Sequence, residues 1–207
     1  MISQYFDSAH HDLFEKTGIL HRDISIGNLM VDASDPAQGV LIDLDFAARV
    51  TEHGDPLDGE SFPPAGTLNF RACDLLTPQN PPKAYYRHDL ESFFYALLWI
   101  QLHYVDGKEI DHPGVDFFEF NFHGTWNVTR FKKKGFLVGG CRSTEYQLPP
   151  TSLRDTWLAP MQRLFGEALM AETDASMSHR IGESALVDRG TLGGRITYET
   201  FTQILRR

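Results

Sequence analysis

The sequence predicts a mainly α chain that carries one small β-hairpin. Three observations predict it. Apolar residues recur at helical spacing near both ends of the chain, a strongly apolar stretch without a breaker lies over residues 89–104, and two short apolar runs flank a cluster of turn formers at 32–39. With 207 residues and 42% hydrophobic content, the chain can fill one core, and residues 1–207 read as a single unit.

Each element has a local reason. Ile2, Tyr5, Phe6, Ala9 and Leu13 fall on one helical stripe, and Gly18 stands where a helix would stop. Residues 29–31 and 40–42 are apolar runs separated by DASDPAQG, so they read as the two strands of a hairpin. Residues 48–65 hold Gly54, Pro56, Gly59, Pro63 and Pro64 among acids, the composition of a long surface loop. Residues 89–104 are apolar nearly all round, which predicts a buried helix with Asp89 as its N-cap. No element is assigned over 105–150; Lys132, Lys133 and Lys134 there read as a solvated face of a surface loop. Residues 152–171 are helical, with Leu153, Trp157, Leu158, Met161, Leu164, Phe165 and Leu169 near one stripe. A polar connection follows over 172–197, and 198–205 reads as a short final helix.

Composition excludes several function classes. Lys+Arg 19 against Asp+Glu 28 leaves a net charge of -9, so the chain lacks the basic footprint of a nucleic-acid binder. Cys73 and Cys141 are far apart with no CxxC spacing, which argues against a disulfide framework or a zinc site. They fit a reducing compartment, so the expected location is intracellular, in cytoplasm or nucleus. The N-terminus has acids and histidines where a signal peptide has a basic start and an apolar run. The longest apolar run, 93–100, is far short of the roughly 20 residues of a membrane span, and no membrane partner is expected. His10, His11, His103, His112 and His123 show no ligand spacing and read as surface or core residues.

The chemistry is concentrated in HRDISIGN, residues 21–28, which fits the protein-kinase catalytic-loop pattern H-R-D-x-x-x-x-N at every fixed position. Fifteen positions after Asn28 comes Asp43 in IDLDFA, where a kinase carries D-F-G. GTLNFRACDLL, residues 66–76, is similar to the Gly-Thr and degenerate A-P-E end of an activation segment. HDLESFFYAL, residues 88–97, is similar to the helix that anchors a kinase large lobe. Four matches in this order resemble the C-terminal (large) lobe of a protein-kinase-like fold, and the variants resemble the fungal-type protein kinase family over nearly the whole chain.

The resemblance implies transfer of the ATP γ-phosphate to a protein hydroxyl, with ATP and Mg2+ as cofactors. It implies a catalytic loop at 21–28, a metal loop at 43–47, an activation segment over about 43–74 and a buried anchor helix over about 89–104. Asp23 would accept the substrate hydroxyl proton, and Asn28 and Asp43 would supply hard oxygen ligands for magnesium. Met30 falls where a kinase places an apolar residue under adenine; the alternative is plain core. Arg22 would meet a phosphorylated loop residue, with Thr51 and Ser61 as available hydroxyls, or one of Glu52, Asp55, Asp58 and Glu60 without phosphorylation. Thr67 would touch the catalytic Asp. His21, Asp74 and Asp89 are expected to be structural, Asp89 holding the catalytic-loop backbone or serving as a plain helix cap.

Three departures from the pattern matter. Ser25 stands where most serine/threonine kinases have a lysine, which removes one positive charge. Leu44 and Asp45 replace the Phe and Gly of D-F-G. The N-terminal β lobe is expected to be missing, because no G-x-G-x-x-G and no strand lysine to grip phosphates occurs in the 207 residues. The reading is therefore a phosphotransferase lobe that is inactive without a small lobe, with an unknown protein substrate and a missing small lobe or partner chain. The first rival is a non-catalytic interaction module. The second is a small-molecule phosphotransferase of the choline or aminoglycoside type, against which Arg22 and the Gly66-Thr67 segment argue.

Overall fold

The apolar stretch in the middle of the sequence becomes the axis of the molecule. In the computed structural model, which describes residues 2–35, 39–51, 55, 57, 65–77, 82–105, 107–110, 126–140, 148, 150–180 and 188–206, it forms helix α2, Tyr86–His103. Leu90, Phe94, Leu98 and Leu102 are almost wholly buried along it. Each such side chain contributes roughly 1.5–3 kcal/mol. Around α2 stand α1 (Ile2–Thr17), α3 (Trp126–Gly139), α4 (Ala159–Arg180, entered through a π-helical turn at Arg154–Leu158) and α5 (Tyr198–Leu205). Phe94 meets the rings of Phe136 and Phe165, and Phe165 meets Phe201, so one aromatic chain joins α3, α2, α4 and α5.

The strands are short and form three two-stranded antiparallel sheets among the described residues: β1 (Ile19–Leu20) with β4 (Ala48–Arg49), β2 (Leu29–Val31) with β3 (Gly39–Leu41), and β5 (Tyr104–Val105) with β6 (Lys108–Glu109). The expected hairpin is β2–β3, paired Leu29 to Leu41 and Met30 to Val40. Its second strand starts one residue earlier than expected. The other two sheets were not legible, because two-residue strands carry no periodicity. β4 lies inside the segment expected to be loop; residues 52–54, 56 and 58–64 of that segment lie outside the described residues, as do Cys141, His112 and His123. Helix α1 ends as expected: Gly18 has φ +67 and its amide bonds the Phe14 carbonyl at 2.7 Å.

Four expectations are corrected. Helix α2 begins at Tyr86, so Asp89 lies inside its first turns and is not its N-cap; the cap residue is Tyr85, whose amide donates to His88 Nδ1 at 3.1 Å. Residues 126–139, left unassigned, form α3. Lys133 is not part of a solvated face: it is 0% exposed on α3. The polar connection over 172–197 is shortened because α4 runs on to Arg180. Among the described residues, no helix is long and apolar enough to cross a membrane.

Candidate active site

The loop that follows β1 runs over the entry of α2, and the buried Asp89 carboxylate organises it. Asp89 Oδ2 accepts the His21 amide at 2.9 Å and His10 Nε2–H at 2.8 Å, and Oδ1 accepts the Arg22 amide at 3.1 Å. Burial pushes this carboxyl up, but the hydrogen bond and charge of His10, together with His21, outweigh that and hold it below its ordinary value. His21, wholly buried, ties the loop to the hairpin. Its Nδ1 accepts the Asp23 amide at 3.3 Å, so Nε2 carries the proton and donates to the Ile42 carbonyl at 3.0 Å.

Asp23 is 9% exposed. Its Oδ1 accepts both the amide of Thr67, at 2.7 Å, and the Thr67 hydroxyl, at 3.0 Å. Asn28 Nδ2 donates to the Asp23 carbonyl at 2.8 Å and to Asp23 Oδ2 at 3.3 Å. Two acceptors on one side fix the amide orientation, so Asn28 Oδ1 faces away from Asp23. Gly66, just before Thr67, has φ +89, and a Cβ there would come within 2.5 Å of the Arg22 carbonyl. Only glycine lets the segment approach the loop this closely.

The hairpin brings Asn28 and Asp43 to the same open end. Asn28 ends the 3-10 turn Ile26–Asn28 that leads into β2, and the Ile42 amide bonds its carbonyl at 3.0 Å immediately before Asp43. Asp43 is exposed and left-handed, φ +66, and its Oδ1 accepts the Asp45 amide at 3.3 Å. Arg22 is also left-handed, φ +68. A left-handed non-glycine residue costs about 1–3 kcal/mol, and such positions cluster at functional sites. Met30 is 49% exposed, which rules out plain core for it. Met30, Val40 and Ile42, together with Leu44 and Phe46 beyond the strand, give this end an exposed apolar surface.

Arg22 Nη1 donates to the Phe46 carbonyl at 3.1 Å. Of the carboxylates considered for it, Asp55 pairs with Lys83 instead; Glu52, Asp58, Glu60 and Ser61 lie outside the described residues. Ser25 is buried, and its carbonyl accepts the Asn28 amide at 3.0 Å. Farther along, Asp74 Oδ2 pairs with Arg87 Nη2 at 2.7 Å. Burial raises the Asp74 carboxyl, but His88 and the Arg87 guanidinium more than reverse this and hold it well below the usual range. Burial, with the Arg87 charge, pushes His88 down to about 4.

Sequence reasoning missed a second buried set beneath the site. Glu91 Oε1 accepts the Cys73 amide at 2.8 Å and the Tyr95 hydroxyl at 2.9 Å, while Lys133 Nζ donates to the Arg71 carbonyl at 2.6 Å and lies 3.9 Å from the Tyr95 ring centroid. Burial pushes Glu91 up and Lys133 down to about 7. This set ties the 71–74 segment to α2 and α3. His10 was also missed. It falls four residues after Phe6 and three before Leu13, on the apolar stripe of α1, and a polar residue on such a stripe signals a buried partner.

Among the described residues, no group of three or more His, Cys, Asp or Glu is arranged to hold a metal ion. The donor chemistry nevertheless fits magnesium: a neutral amide oxygen and an exposed carboxylate at one end of a hairpin suit a hard cation that keeps its waters and takes phosphate oxygens. A mainly helical body with small two-stranded sheets is compatible with the large lobe of a kinase-like fold. The family model described as Fungal protein kinase matches residues 8–101, so this segment is similar to the fungal protein kinase family, whose members are phosphotransferases. The matched span is shorter than the nearly chain-long likeness expected, yet it includes every candidate residue named above. No curated protein matches the chain.

Proposed function

We propose that the chain is the phosphotransferase lobe of a protein kinase that moves the γ-phosphate of ATP to a protein serine or threonine hydroxyl. The observation that carries this is the fixed Asn28 amide: its Nδ2 is committed to Asp23, which leaves Oδ1 for a cation at the hairpin end shared with Asp43. Magnesium would neutralise phosphate charge there. Asp23 orients the attacking hydroxyl and accepts its proton while Thr67 holds the carboxylate in place. Met30 and Val40 offer an apolar surface for the adenine ring. Arg22 and Asp89 fix the loop and do not touch the reacting atoms.

These 207 residues hold no G-x-G-x-x-G string, so as a polypeptide they are expected to bind nucleotide weakly and not to turn over. Leu44 and Asp45, with Ser25 turned into the interior, favour a second reading, a non-catalytic module that keeps the loop as scaffold. Calorimetric titration with ATP separates the two. The catalytic reading expects magnesium-dependent binding, sub-millimolar at best, that disappears in Asp43→Ala; binding unchanged in that variant places the nucleotide elsewhere and removes the reading.

A further inference from the structure

A cavity of about 390 Å3 opens between α1, the entry of α2 and the turn leading into α5, within the roughly 300–1,000 Å3 of ligand clefts. Its walls are aromatic. The His11 ring stacks on Tyr198 with centroids 3.5 Å apart, and Phe14 packs 4.8 Å from Tyr86, so the wall is braced before anything binds. Its rim is acidic, with Glu15, Asp188 and Glu199. The Thr191 hydroxyl, helped by the Gly190 and Thr191 amides, holds Asp188 below its ordinary value against the opposing effect of burial. The amide of Glu199 itself and the Thr197 side chain do the same for Glu199.

Positive charge is scarce in this lining. Arg87 is the guanidinium among the described lining residues, and Asp74 counters it at 2.7 Å. Among the described residues no cation pairs with Glu15. His11 Nδ1 is buried at the cavity wall with no hydrogen-bond partner, and in the Nε2–H tautomer it is an acceptor. An apolar ligand would desolvate the carboxylates and leave that nitrogen unpaired, and an anion would be repelled. A cation with a flat face meets each demand: aromatic walls for its plane, carboxylates for its charge and an acceptor for an N–H.

We infer that this cavity docks an arginine side chain of a peptide partner. The guanidinium lies between the aromatic wall and the acidic rim, donating to Glu15 and Glu199. Arginine is favoured over lysine because its planar, weakly hydrated head stacks on rings, whereas an ammonium is compact and strongly hydrated. The assignment uses none of the residues proposed for phosphoryl transfer, so either can fail without the other.

The test is an NMR titration of the 207-residue chain with acetyl-Gly-Arg-Gly-amide, with its neutral counterpart acetyl-Gly-citrulline-Gly-amide and with acetyl-Gly-Lys-Gly-amide. The arginine peptide is expected to shift the amides of residues 11–15 and 190–199 saturably, and the citrulline peptide to bind at least about tenfold more weakly. The double variant Glu15→Gln, Glu199→Gln, both at exposed positions, should keep its melting temperature and lose about tenfold in arginine affinity. Absence of shifts, equal binding of citrulline, equal binding of a lysine peptide, or a folded double variant with parental affinity would each overturn the assignment.

Discussion

His10 Nε2 lies 2.8 Å from Asp89 Oδ2, with both side chains buried. The contact joins α1 to α2 across 79 positions of sequence. It gives Asp89 a third donor beyond the two loop amides, so one carboxylate fastens the first helix, the loop over 21–28 and the central helix together. A charged group taken this far from water persists only when its lone pairs are used.

Asp89→Ala should therefore melt well below the parent, at a cost of about 3 kcal/mol, because it leaves two loop amides and His10 without an acceptor. His10→Ala should cost less, since both amides keep their partner. Thermal or urea unfolding of the two variants checks this order. Equal melting of Asp89→Ala and the parent would mean that the loop is held by something else.

The His88 ring supplies a pH dependence. Its pKa is lowered from 6.5 to about 4, so between those values the unfolded chain takes up a proton that the folded one does not, and stability falls as pH drops through that window. The largest effect is about 3 kcal/mol. His88→Asn can still accept the Tyr85 amide, and it should lose less stability than the parent between pH 6.5 and 4. Parallel profiles for the two proteins would contradict this. Below pH 4 both should lose stability further as Asp74 and Asp89, whose carboxyls are held low, become protonated.

Lys133→Ala should destabilise by roughly 2–4 kcal/mol, because it strips the Arg71 carbonyl of a buried donor and opens a space against Tyr95. Lys133→Met, which keeps the stem, should cost less than Lys133→Ala. Unfolding curves decide it; if both variants behave like the parent, the lysine is not what fastens the 71–74 segment to α3.

The candidate site was more legible in the sequence than the fold around it. Asp23, Asn28 and Asp43 stood out because HRDISIGN and IDLDFA resemble the catalytic and metal loops of a kinase, strings short enough to be read along the chain. The entry of α2 was misread because Asp89 is a residue that usually caps helices; its bonds to the His21 and Arg22 amides are the loop-holding use that the resemblance implied, and local pattern alone could not choose between the two. Helix α3 was missed because two members of its buried stripe, Thr129 and Lys133, are polar. Lys133 meets Arg71 and Tyr95, which are distant in sequence, and no window along the chain contains both sides of such a contact.

The central claim is that Asp23 is the base of a phosphoryl-transfer site. The most direct measurement is transfer of labelled γ-phosphate to a serine-rich protein by the chain joined behind a kinase small lobe, compared with the same protein carrying Asp23→Asn. The account predicts magnesium-dependent transfer that falls by at least about 100-fold in Asp23→Asn, with nucleotide affinity and melting temperature kept. A joined protein that folds, binds magnesium ATP and transfers nothing, or one whose transfer survives Asp23→Asn unchanged, would contradict it.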